Sequence, residues 1–480
     1  MATAGALAAD PLTQSLRPVM RGEDLHKRTV PDAAEIISNK NLSGRVSYAV
    51  ANAETGEWVE QANAEVGTPP ASVAKALTSL YALEYLGPDH RFETRLCATG
   101  GIVDGEVQGD LILVGGGDPT LETNGLAELA AELKAAGIIG VKGGFKVYEA
   151  ALPMTPRIDP EQPDHVGYNP GVSGIALNYN RVHFEWKRES GKYTVTMDAR
   201  SDRYRPDVAM AAMEVRDRST PVYTYEDRAD RDVWTVAKGA LGSGGARWLP
   251  VRKPGLYAGD VFATLAGAQG IRLDKPAIVD VLPPCETIVT RRSDDLRSIL
   301  KDMLKYSTNL TAEMVGMAAS VARKGEVADL RASAAEMNAW AVEALGMQGP
   351  ALVDHSGLGD DSRITARDMA TAMLKMKDGA LRPILKQFVL RDGKGRPVPD
   401  HPIQVHAKTG TLNFVSGLAG YAETPDGTLL AFAIFAADEK VRAGISREER
   451  EGPPGARAWN SRAKRVQQAL LERWSVIYGS

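Results

Sequence analysis

Residues 68–75 read TPPASVAK, and the largely apolar run ALTSLYALEYLG follows at once, ending at Gly87. Pro69 and Pro70 fix the approach of the chain, and Gly87 is a natural helix C-cap residue. Ser72 then falls in the first turn of the predicted helix. Backbone N–H groups there point outward and carry partial positive charge, which suits a serine oxygen that must become an anion. Residues i and i+3 share a helix face, so Lys75 lies beside the Ser72 hydroxyl. A bland reading also fits, a serine N-cap with a solvated lysine. Two other Ser-x-x-Lys tetrads, Ser298 to Lys301 and Ser461 to Lys464, sit on helical faces that read as exposed. The tetrad alone therefore decides nothing.

Two distant stretches decide it. Tyr306-Ser307-Thr308-Asn309 places a Ser-x-Asn at the end of a helical segment, and His406-Ala407-Lys408-Thr409-Gly410-Thr411 places a Lys-Thr-Gly just before strand-like residues. Each alone reads as a turn or a strand end. Together, in this order, they match the signature set of the serine penicillin-recognising enzymes. The sequence resembles a low-molecular-mass class C penicillin-binding protein, the D-alanyl-D-alanine carboxypeptidase/endopeptidase group. The long interval from Ser72 to Ser307 agrees with that group and not with compact β-lactamases. GDLILVGGGDPTL (109–121), IALNYNRV (175–182) and DHSGLGDDSRITA (354–366) resemble it too. The chain departs from the pattern at His355, where a small residue is expected; Thr308 occupies a position the family leaves variable.

The chemistry needs a nucleophile, a base, a proton shuttle, an oxyanion site and a carboxylate clamp. Ser72 is the candidate nucleophile, and a neighbour must take its proton. Lys75 does so only when neutral, and burial near a second cation, Lys408, lowers its pKa. The resemblance implies the remaining roles. Ser307 relays a proton to the leaving amine, and Asn309 holds Lys75 and binds a substrate amide. The N–H groups of Ser72 and Thr411 form an oxyanion hole, where one donor is typically worth about 3–4 kcal/mol. Lys408, Thr409, Gly410 and Thr411 form the segment that receives the substrate carboxylate. The expected reaction is serine DD-peptidase action on peptidoglycan stem peptides through an acyl-enzyme, with β-lactams as covalent inhibitors. Alternatives are a β-lactamase or esterase on the same site, or a catalytically silent cell-wall scaffold. Ser-x-Asn rather than Tyr-x-Asn, and the large insertion, argue against a class C β-lactamase.

Composition sets the bounds. The chain has 480 residues, a net charge of −4, and 44% hydrophobic and 25% charged residues. This is an ordinary soluble globular balance with no general attraction to nucleic acid. The 47 Gly and 27 Pro point to strands and turns rather than a helical bundle. Leu113-Val114-Gly115-Gly116-Gly117-Asp118 lacks a following Gly-Lys-Ser/Thr, so it reads as a strand-end turn and not a phosphate loop. The seven His form no His-Glu-x-x-His, and neither a metal nor a cofactor is expected. Two cysteines, Cys97 and Cys285, exclude a disulfide scaffold; they read as free thiols or as a single bridge. No run approaches the roughly 20 apolar residues of a membrane span. Ala6-Leu7-Ala8 looks like the remnant of an export signal or part of a plain tail, and an extracytoplasmic location is the expectation. No oligomeric state follows.

The motifs must meet, so most of the chain between them reads as an insertion. The expected class is α+β: a penicillin-binding, β-lactamase-like catalytic domain of mixed helices and antiparallel sheet. It would comprise 30–91 and 286–480 after a tail at 1–29. A large, mostly-β insertion would comprise 92–117 and 186–285, with a nested unit at 118–185. If the insertion folds over the motifs, Asp159, Asp164 and Tyr168 are within its reach of the site.

Overall fold

Two strand pairs, one near each end of the chain, merge into one sheet. The computed structural model describes Lys27 and residues 29–479; the Ala6-Leu7-Ala8 expectation lies outside them. Strands β1 (Arg45–Asn52), β2 (Trp58–Ala62), β3 (Gln404–Leu412), β4 (Val415–Glu423) and β5 (Leu429–Ala437) form an antiparallel sheet in the order β3-β4-β5-β1-β2. Residues of β5 alternate between two cores, as a period of two requires. Leu430, Phe432 and Ile434 pack with Trp459 and Trp474 of the closing helix, while Ala431, Ala433 and Phe435 face the helical core behind the other side.

That second core is built on α1 (Ala74–Leu86), buried continuously from Ala74 to Ala82. A helix apolar on all sides has no solvent face to offer and goes to the middle. Around it stand α2 (Leu296–Tyr306), α3 (Asn309–Lys324), α4 (Leu330–Leu345) and α5 (Ala366–Lys375). In α2 the residues of helical spacing, Leu296, Ile299, Leu300, Met303 and Leu304, are the buried ones. The closing helix α6 (Ala456–Tyr478) covers the far face of the sheet.

Between α1 and α2 the chain leaves to form other sheets. Five strands stand in the order 277–279, 145–148, 111–115, 93–98 and 286–292, beside two three-stranded sheets drawn from residues 181–250. One apolar core runs through them, from Leu96 and Leu113 to Trp234, Tyr257 and Phe262. Strand 145–148 pairs with 111–115, across the expected edge of the nested unit, and 286–292 pairs with 93–98. On these pairings we propose that the insertion closes after Arg292, and that any inner unit begins later than residue 148. Leu152, Ile158 and Val172 pack on Leu310, Met314 and Met317 of α3, which brings the insertion against the helix that carries Asn309.

Cys97 and Cys285 share a small apolar cluster, and both are free thiols. Cys97 Sγ lies 3.4 Å from Thr287 Oγ1.

Candidate active site

The turn that carries Ser72 is tighter than an α-helical first turn. Residues Ala71–Val73 form a single 3-10 turn ahead of α1, and Ala71 takes φ 48°, uncommon for a residue with a side chain. What holds it there is contact. A Cβ on Gly410 would lie 2.6 Å from the Pro70 carbonyl oxygen and 3.1 Å from the Ser72 nitrogen. A Cβ on Gly357 would lie 1.9 Å from the Ala71 carbonyl oxygen. The turn is gripped between β3 and the loop 354–359, and only glycine leaves room on either side.

One α-helical step on, Lys75 is fully buried. Its Nζ lies 2.9 Å from Ser72 Oγ, 2.8 Å from Asn309 Oδ1 and 2.8 Å from the Ser356 carbonyl oxygen. Asn309 opens α3 two residues after Ser307, which caps α2 in the left-handed region at φ 61°. That break lets two consecutive helices present Ser307 and Asn309 side by side. Asn309 also donates through Nδ2 to the Tyr168 carbonyl at 2.9 Å, so the insertion does reach the site. Lys408 on β3 donates to Ser307 Oγ at 3.0 Å and to the Thr409 carbonyl at 2.6 Å.

Ser72, Ser307, Asn309 and Thr411 line one pocket of about 330 Å³, with Tyr168 and Arg442 on its wall. Lys75 and Lys408 stand behind that lining. Gly410 is buried and Thr409 exposed, and neither lines the pocket. The other two Ser-x-x-Lys tetrads are exposed.

Burial pushes Lys75 down to about 8, against the opposing charges of Glu313 and Asp354. Repulsion between Lys75 and Lys408 disfavours charge on both, and burial, then Lys75 and Lys386, push Lys408 well below the usual lysine range. Glu313 and Asp354 are fully buried near Lys75, and neither was expected at the site. Burial raises both acids, and for Glu313 the Asp354 charge adds to the rise, while Lys75 and the N–H groups the carboxylates accept oppose it. A signal for Glu313 was present: an acid one turn beyond Asn309, on the same face of an otherwise apolar helix.

His355 is accommodated by its neighbours. A Cβ on Gly316 would sit 2.2 Å from the imidazole Cγ, so the missing side chain on α3 makes room for the ring. Burial pushes His355 down to about 3, and Ser333 Oγ lies 2.8 Å from its Nε2. It is a neutral core residue.

Among the described residues, one group could hold a metal: His183, Glu185 and Asp198, on strands of the insertion. The Arg200 guanidinium already bridges both carboxylates, at 2.6 Å from Glu185 and 2.7 Å from Asp198. None of the four lines the pocket at Ser72.

The chain as a whole matches known proteins. The model of the D-Ala-D-Ala carboxypeptidase 3 (S13) family matches residues 30–451. A D-alanyl-D-alanine carboxypeptidase of Actinomadura sp. (strain R39) is 27% identical over 444 residues, covering 84% of this chain and 80% of that protein. Penicillin binding protein 4 (dacB) of Haemophilus influenzae superposes with a TM-score of 0.72 at 19% identity, covering 85% of this chain and 93% of that one. The same protein complexed with a novel β-lactam gives a TM-score of 0.69 at 20% identity, again over 85% and 93%. At that identity the structural likeness speaks to fold alone, and the fold is the expected penicillin-binding, β-lactamase-like one.

Proposed function

The chain belongs to the D-Ala-D-Ala carboxypeptidase 3 (S13) family of serine peptidases, and from that premise we propose that it cleaves peptidoglycan stem peptides through an acyl-enzyme on Ser72. The observation that carries this reading is the environment of Lys75 Nζ. Its neighbours are two carbonyl-type oxygens, on Asn309 and Ser356, and one hydroxyl, on Ser72. A neutral amine has two N–H bonds and one lone pair. The two carbonyls take the N–H bonds, and the lone pair is left facing the Ser72 hydroxyl. The burial that lowers Lys75 to about 8 makes that neutral form accessible near physiological pH.

Ser72 Oγ then attacks the carbonyl carbon of the scissile D-alanyl bond as its proton passes to Lys75 Nζ. The N–H groups of Ser72 and Thr411 stabilise the oxyanion. Collapse breaks the C–N bond; the leaving amine takes the hydroxyl proton of Ser307, which Lys408 holds in place, and Ser307 regains a proton from the Lys75 ammonium, leaving Lys75 neutral again. Water hydrolyses the resulting ester and restores Ser72. The substrate carboxylate sits against Thr411, within the field of buried Lys408. A β-lactam follows the same path, but its amine stays tethered and the adduct persists. Endopeptidase cleavage of cross-links uses the same steps with a longer leaving group. The site of action is extracytoplasmic, where such peptides are; among the described residues no helix is long and apolar enough to cross a membrane.

Mass spectrometry after incubation with penicillin tests the reading. One adduct on Ser72, absent in Ser72→Ala, is expected. Release of D-alanine from a D-alanyl-D-alanine peptide, or cleavage of a cross-linked muropeptide, should vanish in the same variant. Fast penicillin turnover with no lasting adduct would make the protein a β-lactamase. No reaction at Ser72 at all would leave a scaffold.

A further inference from the structure

Loop 354–359 is held by two buried carboxylates. Glu313 accepts from the backbone N–H of His355 at 2.8 Å on one oxygen and of Ser356 at 3.0 Å on the other. Asp354 accepts from the N–H of Gly357 and of Gly359, both at 2.6 Å. With these N–H groups turned inward, the carbonyls turn outward onto α1. The His355 carbonyl accepts from Thr78 Oγ1 at 2.6 Å, and the Ser356 carbonyl from Lys75 Nζ at 2.8 Å. Glu313 is outside the pocket lining and enters none of the steps above.

We propose that Glu313 is a positioning residue for Lys75: its carboxylate fixes the backbone of His355 and Ser356 so that the Ser356 carbonyl faces the lysine. This rests on the reading of Lys75 as the base. The Ser356 carbonyl occupies one of the two N–H bonds of neutral Lys75, and so it helps decide where the lone pair points. Without Glu313 two buried N–H groups lose their acceptor, the peptide planes are free to rotate, and the lone pair is no longer directed at Ser72. Both Glu313 oxygens accept backbone N–H groups, the acceptor-only pattern of the ionised form, and that negative charge has a second effect. It favours the protonated lysine, so removing it makes Lys75 easier to deprotonate. The titratable groups around the pair are Asp354 on the same loop, Lys408 on β3, Asp159 from the insertion, and His355, which stays neutral. Of these Asp354 adds to Glu313's influence on Lys75, and the Lys408 cation opposes it.

Glu313→Gln keeps the shape and removes the charge; Glu313→Asp keeps the charge and shortens the reach. The test measures the second-order rate of Ser72 acylation by a fluorescent penicillin across pH, with thermal unfolding alongside, for both variants and the wild type. In the Gln variant the rate should fall at least about tenfold, and the acid limb of the profile should move down by about 1 pH unit. In the Asp variant the rate should fall while the limb stays near the wild-type position. A Gln variant that is acylated with the wild-type limb overturns the proposal, as does failure of both variants to fold, which would confine Glu313 to a role in the core. Absence of acylation in the wild type would instead sink the functional reading.

Discussion

Gly410→Ala isolates the alignment of Ser72, the proposed nucleophile, from the chemistry of Lys75, its proposed base. The added Cβ meets the Pro70 carbonyl oxygen at 2.6 Å, the Ala71 Cβ at 3.0 Å and the Ser72 nitrogen at 3.1 Å. Two of these atoms are backbone, and Ala71 is already at φ 48°, so no side chain can swing away to relieve the contact. Restoring ordinary separation requires the turn and β3 to part by roughly 0.5–1 Å. Ser72 and Lys75 belong to one continuous turn and helix, so their 2.9 Å contact moves as a unit. What changes is the distance from Ser72 to Thr411 and to the Ser307–Lys408 pair on the opposite wall. A displacement of that size at a reacting group costs about a hundredfold in rate, and overpacking a tight site costs about 1–3 kcal/mol of stability. The expected result is penicillin acylation slowed about a hundredfold, with the acid limb of its pH profile unmoved and a modest drop in melting temperature. Acylation at the wild-type rate in a folded Gly410→Ala protein would refute the claim that β3 sets the position of the Ser72 turn.

Three further outcomes follow from the same geometry. The wild-type acylation rate should rise with pH to a plateau above about 8, because in the proposed mechanism only neutral Lys75 takes the Ser72 proton and burial lowers it to that value; about one-tenth of the lysine is neutral one unit below. A rate that is flat from pH 6 to 9 would contradict this. Asn309→Ala removes both an acceptor of Lys75 at 2.8 Å and the donor to the Tyr168 carbonyl at 2.9 Å, and should slow acylation about a hundredfold; a change below threefold would show that Asn309 is not needed to hold the base. In the native protein Cys285, partly exposed but held as the thiol because burial beside Cys97 raises it to about 11, should alkylate slowly and buried Cys97 more slowly still, with both reacting quickly after denaturation. No labelling without a reductant, even in denaturant, would mean the two are bridged.

How far the sequence could be read depended on the range of the forces involved. The five apolar positions of α2 declare a helix because one face suffices to bury them, and each of them is buried. The hairpin of β4 and β5 declares itself through its Thr424–Gly427 turn. Helix α1 was legible as a helix but not as the centre of the fold, since a helix buried on every side carries no amphipathic pattern. The pairing of 145–148 with 111–115, and of 286–292 with 93–98, joins strands that have no local signal for each other, so neither pairing could be read from the sequence. The site divides in the same way. Ser72, Lys75, Ser307, Asn309 and Lys408 stand in short motifs, and the structure links them into two hydrogen-bonded groups beside one pocket. Glu313 and Asp354 act through backbone amides, which every residue carries, so no residue type marks their partners. His355 shows the same limit from the other side. It breaks a local pattern, and its compensation is a glycine 39 positions earlier on α3, whose absent side chain is the space the imidazole fills. Gly316→Ala should therefore disturb the loop that holds Lys75, although Gly316 touches neither the pocket nor the lysine.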